Sequence, residues 1–574
     1  MLNTVANTLQ FHMKKSYVTS TSACVTGCRE PVTRGLLNAF AVRFRNRHLL
    51  TSLLAIMMLC APRFFITAQL RSNSGAPTSF DIVEATVDDV QAALRSGRVT
   101  CRGLVDLYLA RIRSYDKTGP ALNAIQTVNG RAQQEADRLD AMFKVSGPVG
   151  PLHCVPVLVK DQIDTSGIPT MHGFAGFKDF IPATDATIVT KLKTAGALII
   201  AKATMGEFAS GYVSSASGPI RNAYDPRRNA SGSSGGTGSG IAASFATIGI
   251  GEDTGGSIRG PASVNSLVGL RPTVPLVSRY GMSPARPSTD TLGPITRTVR
   301  DAAIVLDVIA GYDQHDPVTA YAVGHIPSSY TASLVRDGLR GARIGIIREP
   351  MNNNTDTNSE DYKKVRTVFD RATGELSGLA VELVEPITIP DVIDRLNKAY
   401  DGNVFETELA MNKYLAAHTN APFKTLREIL LSGIVVPSRA RTLMSTIGKS
   451  TDDIGYLQIL RIQEEIRQFV FTLMADKQLD ALMYATFDHQ PGIIVDDIMT
   501  KTVIADVAGL GNNRRLSPIL GFPAITVPAG FTTDGIPVGI EFVARPFDEP
   551  TLLRIAFAYE QATRHRRPPT LSTR

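Results

Sequence analysis

The sequence predicts an α/β fold, and three observations carry the prediction. Short apolar runs readable as buried strands alternate with amphipathic helical stretches. The chain of 574 residues is 43% hydrophobic and 20% charged, ordinary values for a protein with a sizeable buried core. No fixed-period repeat and no Pro/Ser linker divides the body, so residues 76–574 are expected to form one domain.

The elements follow in chain order. Thr86 followed by Asp89 reads as a capping box, with Val90, Ala93 and Leu94 as the apolar face and Gly97 as the stop. Leu104, Leu107, Tyr108 and Ile112 keep helical spacing in a second helix. Residues 155–159 are an apolar run ending at Lys160, a buried strand with a charge at its tip. A helix over 185–194 and a strand over 197–201 follow. Thr204 and Glu207 repeat the capping-box spacing, which makes Glu207 a helix cap rather than an acid catalyst. Further strands are expected at 343–347, 481–485 and 536–542, with a closing helix over 551–563. Between about 350 and 480 the pattern is mainly helical, with long amphipathic stretches such as 456–471.

The net charge of +7 is unevenly distributed. Residues 1–75 hold nine Lys/Arg against one acidic residue, Glu30, and carry +8, which leaves the remainder at −1. A near-neutral body implies no nucleic-acid partner. In the basic leader, Arg43, Arg45, Arg47 and His48 precede an apolar run over 49–61 that Pro62 ends. That run is shorter than the roughly 20 residues a membrane span needs and fits the h-region of a signal peptide. Small residues near Ala68 supply a cleavage site, so export to the periplasm or outside is expected. A transit-like 1–48 segment, leading to an organelle or a membrane anchor, and a disordered tail are the alternatives. Cys24, Cys28 and Cys60 lie in the leader. Cys101 and Cys154, without close spacing, suggest neither a disulfide framework nor a zinc site. The nine histidines show no HxH or HExxH pattern, so no metal and no cofactor are expected.

The densest signal is Ser231-Gly-Ser-Ser-Gly-Gly-Thr-Gly-Ser-Gly240, followed by Gly251-Glu-Asp-Thr-Gly-Gly-Ser-Ile-Arg259. A flexible linker is the bland reading. Gly238, Gly240 and Ala243 satisfy a dinucleotide pattern, but no strand immediately precedes them and no P-loop GxxxxGK is present. Ser234 sits at the centre of a GxSxG match, yet an elbow needs a preceding hydrophobic strand, and residues 224–230 are polar with Pro226. It also needs a downstream histidine, for which His489 and His565 lack context. The third reading makes both segments one site. Consecutive N–H groups of Thr254, Gly255, Gly256 and Ser257 can receive the oxyanion of an attacked carbonyl, with Ser257 Oγ beside them as nucleophile. A serine needs a base. Lys160, at a strand end after five apolar residues, is the candidate, because burial favours the neutral amine. A second serine in the Gly/Ser loop would bridge base and nucleophile, a variant of triad logic.

Residues 230–273, with Gly232-Ser-Ser-Gly-Gly, Gly251-Glu-Asp-Thr-Gly-Gly-Ser-Ile-Arg and Val268-Gly-Leu-Arg-Pro-Thr, resemble the signature block of the amidase-signature family. The likeness extends from Pro156-Val-Leu-Val-Lys-Asp161 through Lys202-Ala-Thr-Met-Gly-Glu-Phe-Ala209 to Gly293-Pro294 and Arg297. It resumes at Gly521-Phe-Pro-Ala-Ile-Thr-Val-Pro-Ala-Gly530 and Pro537-Val-Gly539. It covers roughly 80–565 and is weakest over 350–480. The resemblance implies a mixed β-sheet covered by helices on both sides. It places the base at Lys160, the nucleophile at Ser257 and the bridging serine, after a cis peptide bond, at Ser233, with Thr254, Gly255, Gly256 and Ser257 as oxyanion hole. Glu252, Gly260, Thr237 and Gly238 depart from residues common in the family.

The implied function is hydrolysis of a small-molecule carboxylic amide through a Ser257 acyl-enzyme, by a monomer or homodimer without an obligate partner subunit. The rivals are the glutaminase subunit of a tRNA-dependent amidotransferase and a non-catalytic binding protein on the same fold. No strong charge cluster points to a charged substrate.

Overall fold

The computed structural model describes residues 80–400, 403–504 and 510–572. The leader, with its apolar run at 49–61 and Cys24, Cys28 and Cys60, lies outside the described residues. In chain order the strands are β1 (Ile125–Val128), β2 (Pro156–Lys160), β3 (Leu198–Ala203), β4 (Val213–Ser214), β5 (Gly218–Pro219), β6 (Ile248–Asp253) and β7 (Val268–Arg271). They continue with β8 (Thr291–Thr296), β9 (Arg343–Ile346), β10 (Glu382–Val384), β11 (Ala481–Ala485), β12 (Ala524–Phe531) and β13 (Pro537–Val543). Eleven of them build one sheet in the order β1-β3-β2-β6-β8-β7-β12-β13-β11-β9-β10, while β4 and β5 pair apart. The sheet is mixed: β3, β2 and β6 run parallel, as do β11, β9 and β10, and the strands between pair antiparallel.

Every residue of β2, β3, β6, β7, β8, β11 and β13 is buried. Side chains alternate between the two faces of a strand, so both faces of the sheet are covered. Full burial also explains which strands the sequence concealed. β6 and β8 carry Gly249, Gly251, Gly293 and Pro294 and show no alternation of apolar with polar residues.

Most expected elements form. Thr86 accepts from Asp89 N at 3.1 Å while Asp89 Oδ2 accepts from Thr86 N at 3.0 Å, capping the helix Val87–Arg95. The helices Cys101–Tyr115, Thr187–Thr194 and Glu549–Thr563 match the spacings that predicted them. The region over 350–480 is mainly helical, ending in Ile454–Asp476, with the short β10 inside it.

Two expectations are corrected. Thr204 caps nothing: its hydroxyl has no partner, and the single 3₁₀ turn Glu207–Ala209 starts at Gly206 without a side-chain cap. The Glu207 carboxylate instead accepts from Val436 N at 2.8 Å, Ser215 N at 3.2 Å and the Ser215 hydroxyl, tying the helical region to the core. Cys101 and Cys154, 53 residues apart, are joined as a disulfide with Cα atoms 5.3 Å apart. The bond fastens the helix Cys101–Tyr115 to the turn before β2, a proximity that linear spacing could not show.

Candidate active site

Parallel pairing of β2 with β6 sets Leu158 against Gly249 and Val159 against Ile250. The next residue pairs therefore bring Lys160 beside Gly251 and Glu252 at the carboxyl ends of two neighbouring strands, where sites collect in α/β sheets. The Gly/Ser stretch supplies the third side. Its helix Gly235–Ala242 is entirely buried, and Gly236 N donates to Thr204 O at 2.9 Å. Gly238 lies so close to Pro261 that a Cβ there would be 2.9 Å from that ring's Cβ. These glycines serve close packing of backbone on backbone rather than a nucleotide. Ser234 Oγ is engaged with Glu252, accepting from its N at 3.3 Å and donating to its O at 3.1 Å. That leaves Ser233, reached through a cis Gly232–Ser233 peptide bond, facing the lysine.

Lys160 is fully buried, and its Nζ lies 2.7 Å from Ser233 Oγ, 2.7 Å from Glu252 Oε2 and 3.3 Å from Glu252 O. Burial pushes the amine down from the usual lysine range, and the facing Glu252 pulls it back. Burial likewise raises Glu252 and Asp290. Ser257 lines a cavity of about 340 Å³ together with Thr254, Gly255 and Gly232. No hydrogen bond joins the hydroxyls of Ser233 and Ser257 among the described residues; Ser257 meets the loop through its carbonyl, which accepts from Ser234 N at 3.4 Å.

Asp253, which no sequence motif singled out, shapes the loop. Its carboxylate accepts from Gly256 N at 2.7 Å and Ile258 N at 3.1 Å, and it pairs with Arg259 and Arg271. Gly256 N–H is therefore already engaged, and of the four expected oxyanion donors Thr254, Gly255 and Ser257 are those that line the cavity. In the sequence Asp253 was one of three charged residues, with Glu252 and Arg259, in the segment 251–259.

Among the described residues the cavity wall carries Arg439, Arg514 and Arg515 and no carboxylate, contrary to the expectation of no charge cluster. Arg439 and the adjacent pair Arg514 and Arg515 come from two segments 75 residues apart in sequence. Arg514 donates to Gly256 O at 2.6 Å and stacks over Phe487; Arg515 stacks over Tyr400. Burial pushes both Arg439 and Arg514 down to about 10. The two histidines weighed as triad partners lie elsewhere: His489 accepts from Asp356 N at 3.1 Å, and His565 pairs with Glu375 at 2.8 Å. Among the described residues, one group has metal-ligand proximity, Cys101, His153 and Cys154, and its two sulfurs are bonded to each other.

Fold and family agree on the class of protein. The Amidase family profile matches residues 103–553; the chain belongs to this family and is an amide-hydrolysing enzyme. A probable amidase of Arabidopsis thaliana is 30% identical over 541 residues, covering 90% of this chain and 97% of its own length. A glutamyl-tRNA(Gln) amidotransferase subunit of Halorhodospira halophila is 34% identical over 499 residues, covering 84% of this chain and 97% of its own. Native peptide amidase from Stenotrophomonas maltophilia superposes with a TM-score of 0.75 at 32% identity, over 85% of this chain and 99% of that one.

Proposed function

We propose that the enzyme hydrolyses a small-molecule amide by acyl transfer to Ser257, with Lys160 as base acting through Ser233. The observation that carries this reading is a fully buried amine 2.7 Å from the Ser233 hydroxyl, next in the chain to Gly232, which lines one cavity with a second serine, Ser257. Neutral Lys160 takes the proton of Ser233, which takes that of Ser257 as Ser257 Oγ attacks the carbonyl carbon. The N–H groups of Thr254, Gly255 and Ser257 receive the oxyanion. Ser233 returns a proton to the leaving amine, and water hydrolyses the ester by the same relay. The two serine hydroxyls draw together once substrate fills the cavity. Three guanidinium groups and, among the described residues, no carboxylate on the wall favour amides rich in carbonyl oxygens or carrying an anionic group.

The test is release of free acid from a panel of peptide, aryl and fatty amides and esters, with Ser257→Ala beside wild type. Turnover falls at least about 1,000-fold while the fold is kept; wild-type hydrolysis by Ser257→Ala would overturn the reading.

A glutaminase subunit of a tRNA-dependent amidotransferase is the second reading, favoured by the 34% identity to the Halorhodospira halophila protein. Affinity purification separates the two: partner subunits co-purify in one case, and a monomer or homodimer elutes alone in the other. Export after cleavage of the basic leader is also part of the proposal. It is supported by the Cys101–Cys154 disulfide, a bond that persists in oxidising compartments. Fractionation of cells expressing the full chain and a version lacking 49–61 checks it, retention of both in the cytosol being the adverse result.

A further inference from the structure

We propose that Glu252 is a neutral carboxylic acid in the working enzyme and thereby keeps Lys160 an uncharged amine. The inference rests on the reading of Lys160 as base, and gives a role to a residue that departs from the family pattern.

Lys160 Nζ is 2.7 Å from Glu252 Oε2. The other oxygen, Oε1, is 2.6 Å from Thr254 Oγ1, and that hydroxyl is also 2.7 Å from Asp290 Oδ1. Lys160, Glu252 and Asp290 are wholly buried. A threonine hydroxyl has one proton and can donate to one carboxylate only. The second oxygen at this distance must bring a proton of its own, or two anions face one hydroxyl away from water. Asp290 is the member built to stay ionised: its Oδ2 accepts from Ala285 N at 2.9 Å and Arg286 N at 2.8 Å. Among the described residues the Glu252 carboxyl receives no main-chain N–H. Asp253, its neighbour on β6, is held as an anion by Arg259 and Arg271. Arg271 reaches Glu252 only at longer range, and Arg279 likewise reaches Asp290.

The protons then fall into one line. Glu252 Oε1–H donates to Thr254 Oγ1, and Thr254 Oγ1–H donates to Asp290 Oδ1. Lys160 N–H donates to Glu252 Oε2, which acts as a carbonyl oxygen. The amine lone pair is left for Ser233 Oγ–H. Relative to an ion pair, one N–H bond of Lys160 is broken and one O–H bond of Glu252 is formed. The two opposite charges disappear together, which relieves the desolvation of a buried pair. Burial moves both groups in that direction. Glu252 touches no substrate; it is a positioning residue that sets the protonation of the base.

The experiment follows the rate of Ser257 labelling by a fluorophosphonate against pH, in the full chain and in Glu252→Gln and Glu252→Ala. Glutamine offers the same carbonyl to Lys160 and an N–H to Thr254. Glu252→Ala slows labelling about 100-fold, and Glu252→Gln recovers to within about tenfold of wild type. The acid limb of Glu252→Gln stays within about half a pH unit of wild type, because both limbs report Lys160 beside a neutral neighbour. An ion pair predicts otherwise: the wild-type limb would be Glu252's own titration, and Glu252→Gln would raise it by about one unit or more. That rise, or a Glu252→Gln rate as low as that of Glu252→Ala, overturns the proposal. An infrared difference spectrum of wild type against Glu252→Gln reads the protonated carboxyl directly, without activity; its absence also overturns the proposal. Labelling of Lys160→Ala at the wild-type rate would instead sink the base assignment, whatever the Glu252 band shows.

Discussion

Asp253 ends β6, and its two oxygens are shared by two main-chain N–H groups and two guanidinium groups. Burial alone would push this carboxyl up, but Arg259 and Arg271 outweigh it and hold it below the usual carboxylate range. Arg259 also reaches the buried Glu541, so the cluster is a closed network under the 254–257 loop. Asp253→Asn removes the charge that pairs Arg271 and leaves that guanidinium uncompensated in the interior. The expected loss is about 3–5 kcal/mol of stability, with turnover falling further because Gly256 and Ile258 lose a charged acceptor. Calorimetry and rates on the same preparation check this, and an unchanged melting temperature would contradict it. Asp253 stabilises the fold above the pKa its carboxyl has in the unfolded chain. That contribution is lost only as pH falls through its depressed folded value.

At the scale of elements, the Gly/Ser helix Gly235–Ala242 is placed by contacts that admit no Cβ. A methyl group at Gly236 would collide with the carbonyl oxygens of Thr204 and Ala124, both main-chain atoms that cannot swing away. Gly236→Ala should therefore cost about 3 kcal/mol and displace Ser233 from Lys160. A thermal melt together with fluorophosphonate labelling reports both effects. The closing helix Glu549–Thr563 docks through Glu560, whose Oε1 accepts from Val299 N at 2.8 Å. Burial pushes the Glu560 carboxyl up to about 7. The folded state then binds a proton more tightly than the unfolded chain, so stability is greatest below the ordinary glutamate pKa and falls as pH rises through about 7. Glu560→Gln keeps a carbonyl acceptor without the charge. It should match wild type near pH 5 and exceed it at pH 8 by on the order of 3 kcal/mol. Melting temperatures at the two pH values decide, equal differences at both being the adverse outcome.

For the whole molecule, the disulfide Cys101–Cys154 closes a loop of 53 residues at the sheet end that carries β1 to β3. Cross-linking a loop of this length lowers the entropy of the unfolded chain by an amount worth about 4 kcal/mol. Reductant should lower the melting temperature of wild type to that of Cys154→Ser and leave the variant unmoved. A melt insensitive to reductant would show that the bond contributes nothing.

Local features were legible because they depend on residues close together in the chain. The capping box at Thr86, the apolar run ending at Lys160, the Gly/Ser block with Ser233 and the segment 251–259 with Ser257 each declare themselves within about ten residues. The sequence by itself determined an α/β chain, its family and its candidate nucleophile, bridge and base. Tertiary structure decided what distance in sequence conceals. Strand order put Glu252 against Lys160, and folding turned Glu207 from a cap into a tie to Val436. It also joined Cys101 to Cys154 and gathered Arg439, Arg514 and Arg515 on one wall. The physical reason is common to all four. Burial, pairing and proton placement are set by which groups meet in space, and segments from about fifty to more than two hundred residues apart meet only once the sheet is assembled.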